Sequence, residues 1–171
     1  MHQKKSTNYL AGYSAELSMQ VHRLIEQEKL SGWLQKKYPL GHDVRSDRAL
    51  YVYVSDYKDK YFKNAGNFSR VAFDGKLQDM RNALGMHTSV SRVQGANLKR
   101  RREILVANVF KDMPEAFLRM IVAHELAHLK ENEHNKAFYQ LCQHMEPDYH
   151  QLEFDLRVYL TWLDAGKPPL W

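Results

Sequence analysis

The chain has 171 residues, of which 44% are hydrophobic and 26% are charged, so it suits one compact domain, residues 1–171, with a hydrophobic core. No apolar run approaches the roughly 20 residues that cross a bilayer, which excludes a helical membrane protein and predicts no membrane partner. The single cysteine, Cys142, excludes an intrachain disulfide, and the first residues lack the apolar core of a secretory signal. Both features predict a cytoplasmic protein, and the net charge of +5 is compatible with an anionic partner.

The first third of the chain is predicted to be helical. Ser14 is a candidate N-cap, and an apolar face continues from that helix to Pro39. Ser46 or Asp47 could cap a further helix that ends near residues 64–66. The apolar positions at helical spacing are Leu17, Val21, Leu24, Ile25, Trp33, Leu34 and Tyr38, then Leu50, Tyr53, Val54, Tyr57, Tyr61 and Phe62.

The middle of the chain changes to strand-like patterns. Residues 70–73 predict a strand that ends in a tight turn at Asp74 and Gly75. Residues 86–93 alternate and are rich in β-branched side chains, and residues 104–110 form the clearest apolar strand. We therefore expect a small sheet of about three strands.

The last third returns to helix. Asp112 and Pro114 mark the start of a helix that runs to about Lys130. A second helix is predicted over residues 135–145, with Cys142 as a core residue. A third begins at Pro147 and ends before Gly166. The order of helices, then strands, then helices indicates an α+β fold.

A His-Glu-x-x-His motif lies on the first of these C-terminal helices, at residues 124–128. Positions four apart lie on one helix face, so His124 and His128 can direct imidazole nitrogens at one metal ion. Glu125 lies one residue further round and can reach a metal-bound water as general base. The pattern predicts a catalytic zinc site, which has three protein ligands and one open position.

The third ligand must come from outside this helical face, and His134 is the candidate. It follows His128 by six residues, beyond the expected helix end, so a turn would bring it back over the site. Its spacing equals that of the metzincins, which have a glycine where this chain has Glu131. Glu131, Glu133, His144 and Asp148 are alternative ligands by residue type. Three imidazoles suit zinc and other divalent transition metals.

Substrate-contacting residues are less clearly marked. His87, Arg92, Tyr149 and His150 are candidates by type for steadying a developing negative charge. Residues 99–102 form the basic run Lys-Arg-Arg-Arg, which is either a solvated turn or a contact for phosphates of a nucleotide or nucleic acid.

Residues 124–130 (His-Glu-Leu-Ala-His-Leu-Lys), 134–139 (His-Asn-Lys-Ala-Phe-Tyr) and 147–149 (Pro-Asp-Tyr) resemble the YgjP-like metallopeptidases, relatives of the SprT-like and WLM zinc proteases. The resemblance covers most of the chain. It implies a minimal zincin-like core, zinc on His124, His128 and His134, and Glu125 as the catalytic residue. It also implies that the strand over residues 86–93 binds an extended polypeptide by adding a strand.

Three functions remain open at this point. The first is a zinc peptidase that acts on an exposed polypeptide. The second is a metal-dependent nucleoside triphosphate pyrophosphatase, because proteins similar to this one have been described as acting on UTP. The third is a nucleic-acid-associated zinc module with little turnover.

Overall fold

The computed structural model describes residues 7–75 and 103–171. In these ranges the fold is α+β, with six α-helices and a two-stranded sheet. No helix in the described ranges is long and apolar enough to cross a membrane.

Three helices precede the sheet. α1 spans Ala15–Glu26 and is capped by Ser14, whose hydroxyl accepts from the Leu17 N–H. α2 spans Leu30–Lys37, and Glu28 between them has a positive φ of 57°, so the apolar face predicted to continue to Pro39 belongs to two helices. α3 spans Asp47–Tyr61, with Ser46 as its N-cap.

The sheet consists of β1 (Arg70–Asp74) and β2 (Glu103–Ala107). They pair in parallel, from Arg70 opposite Glu103 to Asp74 opposite Ala107. The expected third strand, at residues 86–93, lies outside the described residues. The backbone N–H of Phe73 donates to Oδ1 of Asp47 at 2.9 Å, so the first residue of α3 fixes β1 to that helix.

The strand predicted over residues 104–110 was too long. It ends at Ala107, and Asn108–Asp112 forms a 3₁₀ helix. Nε2 of the buried His42 donates to the Phe110 carbonyl oxygen at 2.7 Å, so a residue far away in the sequence contacts this 3₁₀ helix.

The C-terminal half supplies three more helices. α4 spans Glu115–Ala127, α5 spans Lys136–Met145 and α6 spans Tyr149–Asp164. α4 is buried along most of its length, and both α5 and α6 pack against it. α4 ends three residues before the predicted Lys130. The core therefore surrounds the helix that carries the His-Glu-x-x-His motif.

Candidate metal centre

The last turn of α4 presents two histidines to the interior. His124 is 4% exposed, and His128, the C-cap of the helix, is half-buried. They lie one helical turn apart, as the spacing predicts, and their ring centroids are 5.0 Å apart.

A tight turn after α4 returns the chain to the same place. The N–H groups of Lys130 and Glu131 both donate to the Ala127 carbonyl, at 3.1 and 3.0 Å. Among the described non-glycine residues only Glu28 has a positive φ, so this turn needs no left-handed residue. That is why Glu131 is compatible with the position that is glycine in metzincins. Asn135 then caps α5 by accepting from the Phe138 N–H at 2.9 Å.

The three imidazoles converge on one point. Nε2 of His134 lies 3.2 Å from Nε2 of His124 and 3.1 Å from Nε2 of His128. A tetrahedral zinc ion with bonds of about 2.0–2.1 Å holds its ligand nitrogens about 3.3 Å apart. Among the described residues, this group of three is the one cluster of histidine, cysteine or carboxylate side chains that could hold a metal ion. The donor set therefore fits a transition-metal ion.

The outer ring nitrogens have partners of their own. Nδ1 of His128 lies 2.9 Å from the Glu131 carbonyl oxygen, which can only accept, so Nδ1 carries the proton. Nδ1 of His124 lies 2.7 Å from the Tyr149 hydroxyl. A proton on Nδ1 leaves the lone pair on Nε2, the atom that faces the centre.

Phe138 forms the inner wall of the site. Its ring centroid lies 4.9 Å from that of His124, 4.6 Å from that of His128 and 4.7 Å from that of His134. The side chain is fully buried. One aromatic ring on α5 therefore packs against all three histidines.

Burial determines the charge of the site. It holds the pKa of His124 well below its usual value, with the neighbouring His128 and His134 adding to the effect. Burial, followed by His128, also lowers the pKa of His134. Neutral imidazoles are the form that binds metal. Burial raises the pKa of Glu125 to about 7. Within residues 7–75 and 103–171, no group donates a hydrogen bond to the Glu125 carboxylate.

The other predicted site residues lie elsewhere. His87, Arg92 and the basic run at residues 99–102 fall outside the described residues. Tyr149, predicted to contact substrate, is fully buried on the far side of His124, so its hydroxyl faces a ring nitrogen that points away from the centre. His150 is exposed and packs against Tyr139, with ring centroids 5.3 Å apart.

The alternative ligands are not part of the cluster. The Glu131 carboxylate accepts from the Asn135 side chain at 3.2 Å, and Glu133 is exposed. The ring of His144 packs edge-on against Tyr61 at 5.5 Å.

The sequence did not predict the packing of Phe138 against the three histidines, nor the hydrogen bond between Tyr149 and His124. A signal for Phe138 exists, because it follows His134 by only four residues and lies in the first turn of α5. Tyr149 lies at the start of another helix, and no spacing rule connects it with His124.

Comparison with known proteins gives two matches. A family model described as the YgjP-like metallopeptidase domain matches residues 86–159. A protein of Escherichia coli (strain K12) named UTP pyrophosphatase is 56% identical over 159 residues, which cover 93% of this chain and 95% of that protein. No solved structure gives a significant match.

Proposed function

Since this chain belongs to the YgjP-like metallopeptidase family, we propose that it is a zinc-dependent hydrolase with His124, His128 and His134 as ligands and Glu125 as general base. The observation that carries the proposal is the convergence of three Nε2 atoms with neighbouring separations of 3.1 and 3.2 Å. Three histidines leave the fourth tetrahedral position open, as in catalytic rather than structural zinc sites.

Different residues would bind the metal ion, transfer the proton and orient the imidazoles. A zinc ion held by His124, His128 and His134 would lower the pKa of a water molecule toward about 7 and polarise the substrate oxygen. Glu125 follows His124 directly on α4, and its pKa of about 7 places it among the effective proton acceptors at neutral pH. It accepts the proton of the attacking water and donates it to the leaving group. The carbonyl of Glu131 and the hydroxyl of Tyr149 hold two of the imidazoles in place.

We propose UTP as the substrate, cleaved to UMP and pyrophosphate. In this reaction water attacks the α-phosphorus and the bond to the bridging oxygen of the β-phosphate breaks. Support comes from the relative named UTP pyrophosphatase, which is 56% identical over 159 residues that cover 93% of this chain. The net charge of +5 favours an anionic substrate.

A peptidase is the second candidate. It was the first hypothesis from sequence, and the description of the matching family model favours it. The His-Glu-x-x-His helix serves peptide hydrolysis in the zinc proteases by the same division of roles. The relative's name moves it to second place here, because that name states the substrate of a nearly full-length match.

The test is an assay of the zinc-loaded protein on UTP and on casein in parallel, with Glu125→Gln as the inactive variant. Glu133→Gln is the matched control, since it makes the same change at an exposed residue outside the three-histidine group. We expect pyrophosphate release from UTP, with a loss of about 10²–10⁴-fold in Glu125→Gln and none in Glu133→Gln. Both variants should keep one equivalent of zinc.

The alternatives give different results. Casein cleavage that is lost in Glu125→Gln, without UTP turnover, would establish the peptidase. No turnover of either substrate at full zinc occupancy would contradict both enzyme proposals and leave the nucleic-acid-associated module. Full UTP activity in Glu125→Gln would contradict the assignment of the general base.

A further inference from the structure

We propose that Tyr149 and Cys142 form a directed hydrogen-bond chain that holds the His124 imidazole in its metal-binding tautomer. In this chain Nδ1–H of His124 donates to the Tyr149 hydroxyl, and the hydroxyl donates to the Cys142 sulfur. Tyr149 is thus a positioning residue, and Cys142 is the terminal acceptor. The inference rests on the proposed metal centre, and it goes beyond that proposal by assigning two residues outside the ligand set.

The first link is short and buried. The distance from Nδ1 of His124 to the Tyr149 hydroxyl oxygen is 2.7 Å, and the two rings are nearly parallel, with an interplanar angle of 19°. Tyr149 is fully buried at the first residue of α6, against the last turn of α4. A buried hydroxyl at this distance restricts rotation of the imidazole about χ2.

The direction of this link follows from the centre. A hydroxyl can either donate to or accept from a ring nitrogen. Nε2 of His124 faces Nε2 of His134 at 3.2 Å, so Nε2 must offer its lone pair when a metal ion is bound. Nδ1 then carries the proton and donates, and the Tyr149 oxygen accepts. The hydroxyl proton of Tyr149 therefore needs an acceptor of its own.

Cys142 is the acceptor that the proposal assigns, because its side chain is fully buried on α5 and interacts with Tyr149. The charged group nearest in sequence on α6, Glu153, is already engaged by Arg157, whose Nε and Nη2 lie 3.2 and 2.8 Å from Oε1. Sulfur is a weak acceptor, so the bond from the hydroxyl to the sulfur is the weaker of the two links.

His128 also has a hydrogen-bond acceptor at its Nδ1, but there the acceptor is a backbone carbonyl. Its Nδ1 donates to the Glu131 carbonyl, an acceptor that no side-chain substitution removes. Partners of this kind fix the tautomer of a ligand imidazole, and their loss weakens metal affinity about 10- to 100-fold. Tyr149 is therefore the ligand partner that can be removed by mutation.

The experiment measures zinc dissociation constants by competition with a chromogenic chelator, for wild type, Tyr149→Phe, Cys142→Ala and a control. The control is Tyr57→Phe, because the Tyr57 hydroxyl also makes a hydrogen bond of 2.7 Å, to the Met145 carbonyl on α5, away from the ligands. We expect zinc affinity about 10- to 100-fold weaker in Tyr149→Phe. Cys142→Ala should weaken it less, by a few-fold, because the outer bond only strengthens the inner one. Tyr57→Phe should lower thermal stability without changing zinc affinity.

A second measurement does not depend on any variant. Nitrogen NMR of the zinc-loaded wild type should show Nδ1 of His124 protonated and Nε2 bound to metal. The opposite assignment, a Tyr149→Phe affinity within twofold of wild type, or an equal loss in Tyr57→Phe would overturn the proposal. Failure of the metal centre itself is distinguishable, since wild type would then bind no zinc that depends on His134.

Discussion

Two polar clusters contact α6, and they are built in opposite ways. The first is centred on Asp155, which is fully buried. One carboxylate oxygen accepts from Lys37 Nζ at 2.5 Å and from the Tyr38 hydroxyl at 2.6 Å, and the other accepts from Gln151 at 2.9 Å. Every strong acceptor in this cluster has a donor.

The second cluster is the three histidines. Nε2 of His134 lies 3.2 Å from Nε2 of His124 and 3.1 Å from Nε2 of His128, and Nδ1 of His128 donates to the Glu131 carbonyl. The Nε2 lone pair of His128 therefore faces the other two rings. A saturated polar cluster stabilises the fold, whereas imidazole nitrogens that converge on one point suit a metal ion.

The largest expected effect on zinc affinity comes from removing one imidazole of the three-histidine cluster. We expect His134→Ala to weaken zinc affinity by at least about a thousandfold, or about 4 kcal/mol, because two ligands cannot form a catalytic site. Chelator competition and elemental analysis measure it. His144→Ala is the control, since His144 is exposed and outside the cluster. Unchanged zinc content in His134→Ala would place the third ligand elsewhere.

Removing Asp155, the centre of the first cluster, should lower the stability of the protein and leave its zinc affinity unchanged. Asp155→Ala leaves the buried Tyr38 hydroxyl and the Gln151 amide without their acceptor. We expect a loss of about 3 kcal/mol in the free energy of unfolding of the zinc-free protein. Urea denaturation measures the loss, and the zinc dissociation constant of the folded protein should stay within about twofold of wild type. A large loss of zinc affinity would show that the two clusters are coupled.

Zinc should stabilise the folded protein only by binding to the three histidines. At a free zinc concentration 100 times the dissociation constant, binding adds about 2.7 kcal/mol to the free energy of unfolding. Thermal melts with and without zinc should show this increment in wild type and in Asp155→Ala. In His134→Ala the melt should not respond to zinc at the same concentration. An equal response there would mean that zinc acts at another place.

The smallest effect compares two helix caps. Asn135 caps α5 directly after His134, and Ser14 caps α1 far along the chain. Each substitution by alanine should reduce the free energy of unfolding by about 1 kcal/mol. Only Asn135→Ala should also weaken zinc affinity, by a few-fold, because it loosens the residue after the ligand. Equal zinc affinities in the two variants would show that the turn holds His134 without its cap.

Local signals in the sequence were enough to predict most helices and the turn that brings His134 to His124 and His128. Ser14 caps α1 as predicted, and the structure selects Ser46 rather than Asp47 for α3. The spacing of residues 124, 128 and 134 brings three imidazoles together as expected. Each of these features depends on residues within one or two turns of each other.

Features that depend on distant parts of the chain could not be predicted. Asp47 binds the backbone of β1, and His42 binds the Phe110 carbonyl in the 3₁₀ helix after β2. The position of Tyr149 beneath His124 depends on how α6 packs against α4. In each case one residue type fits many surroundings, and only the tertiary arrangement selects one.

The packing of the Phe138 ring affects the entropy cost of binding an ion at the three histidines. It contacts all three imidazoles from the buried side, so ligand rotamers are held whether or not an ion is present, and the entropy of ordering them is lost during folding rather than on binding. The same ring closes one approach.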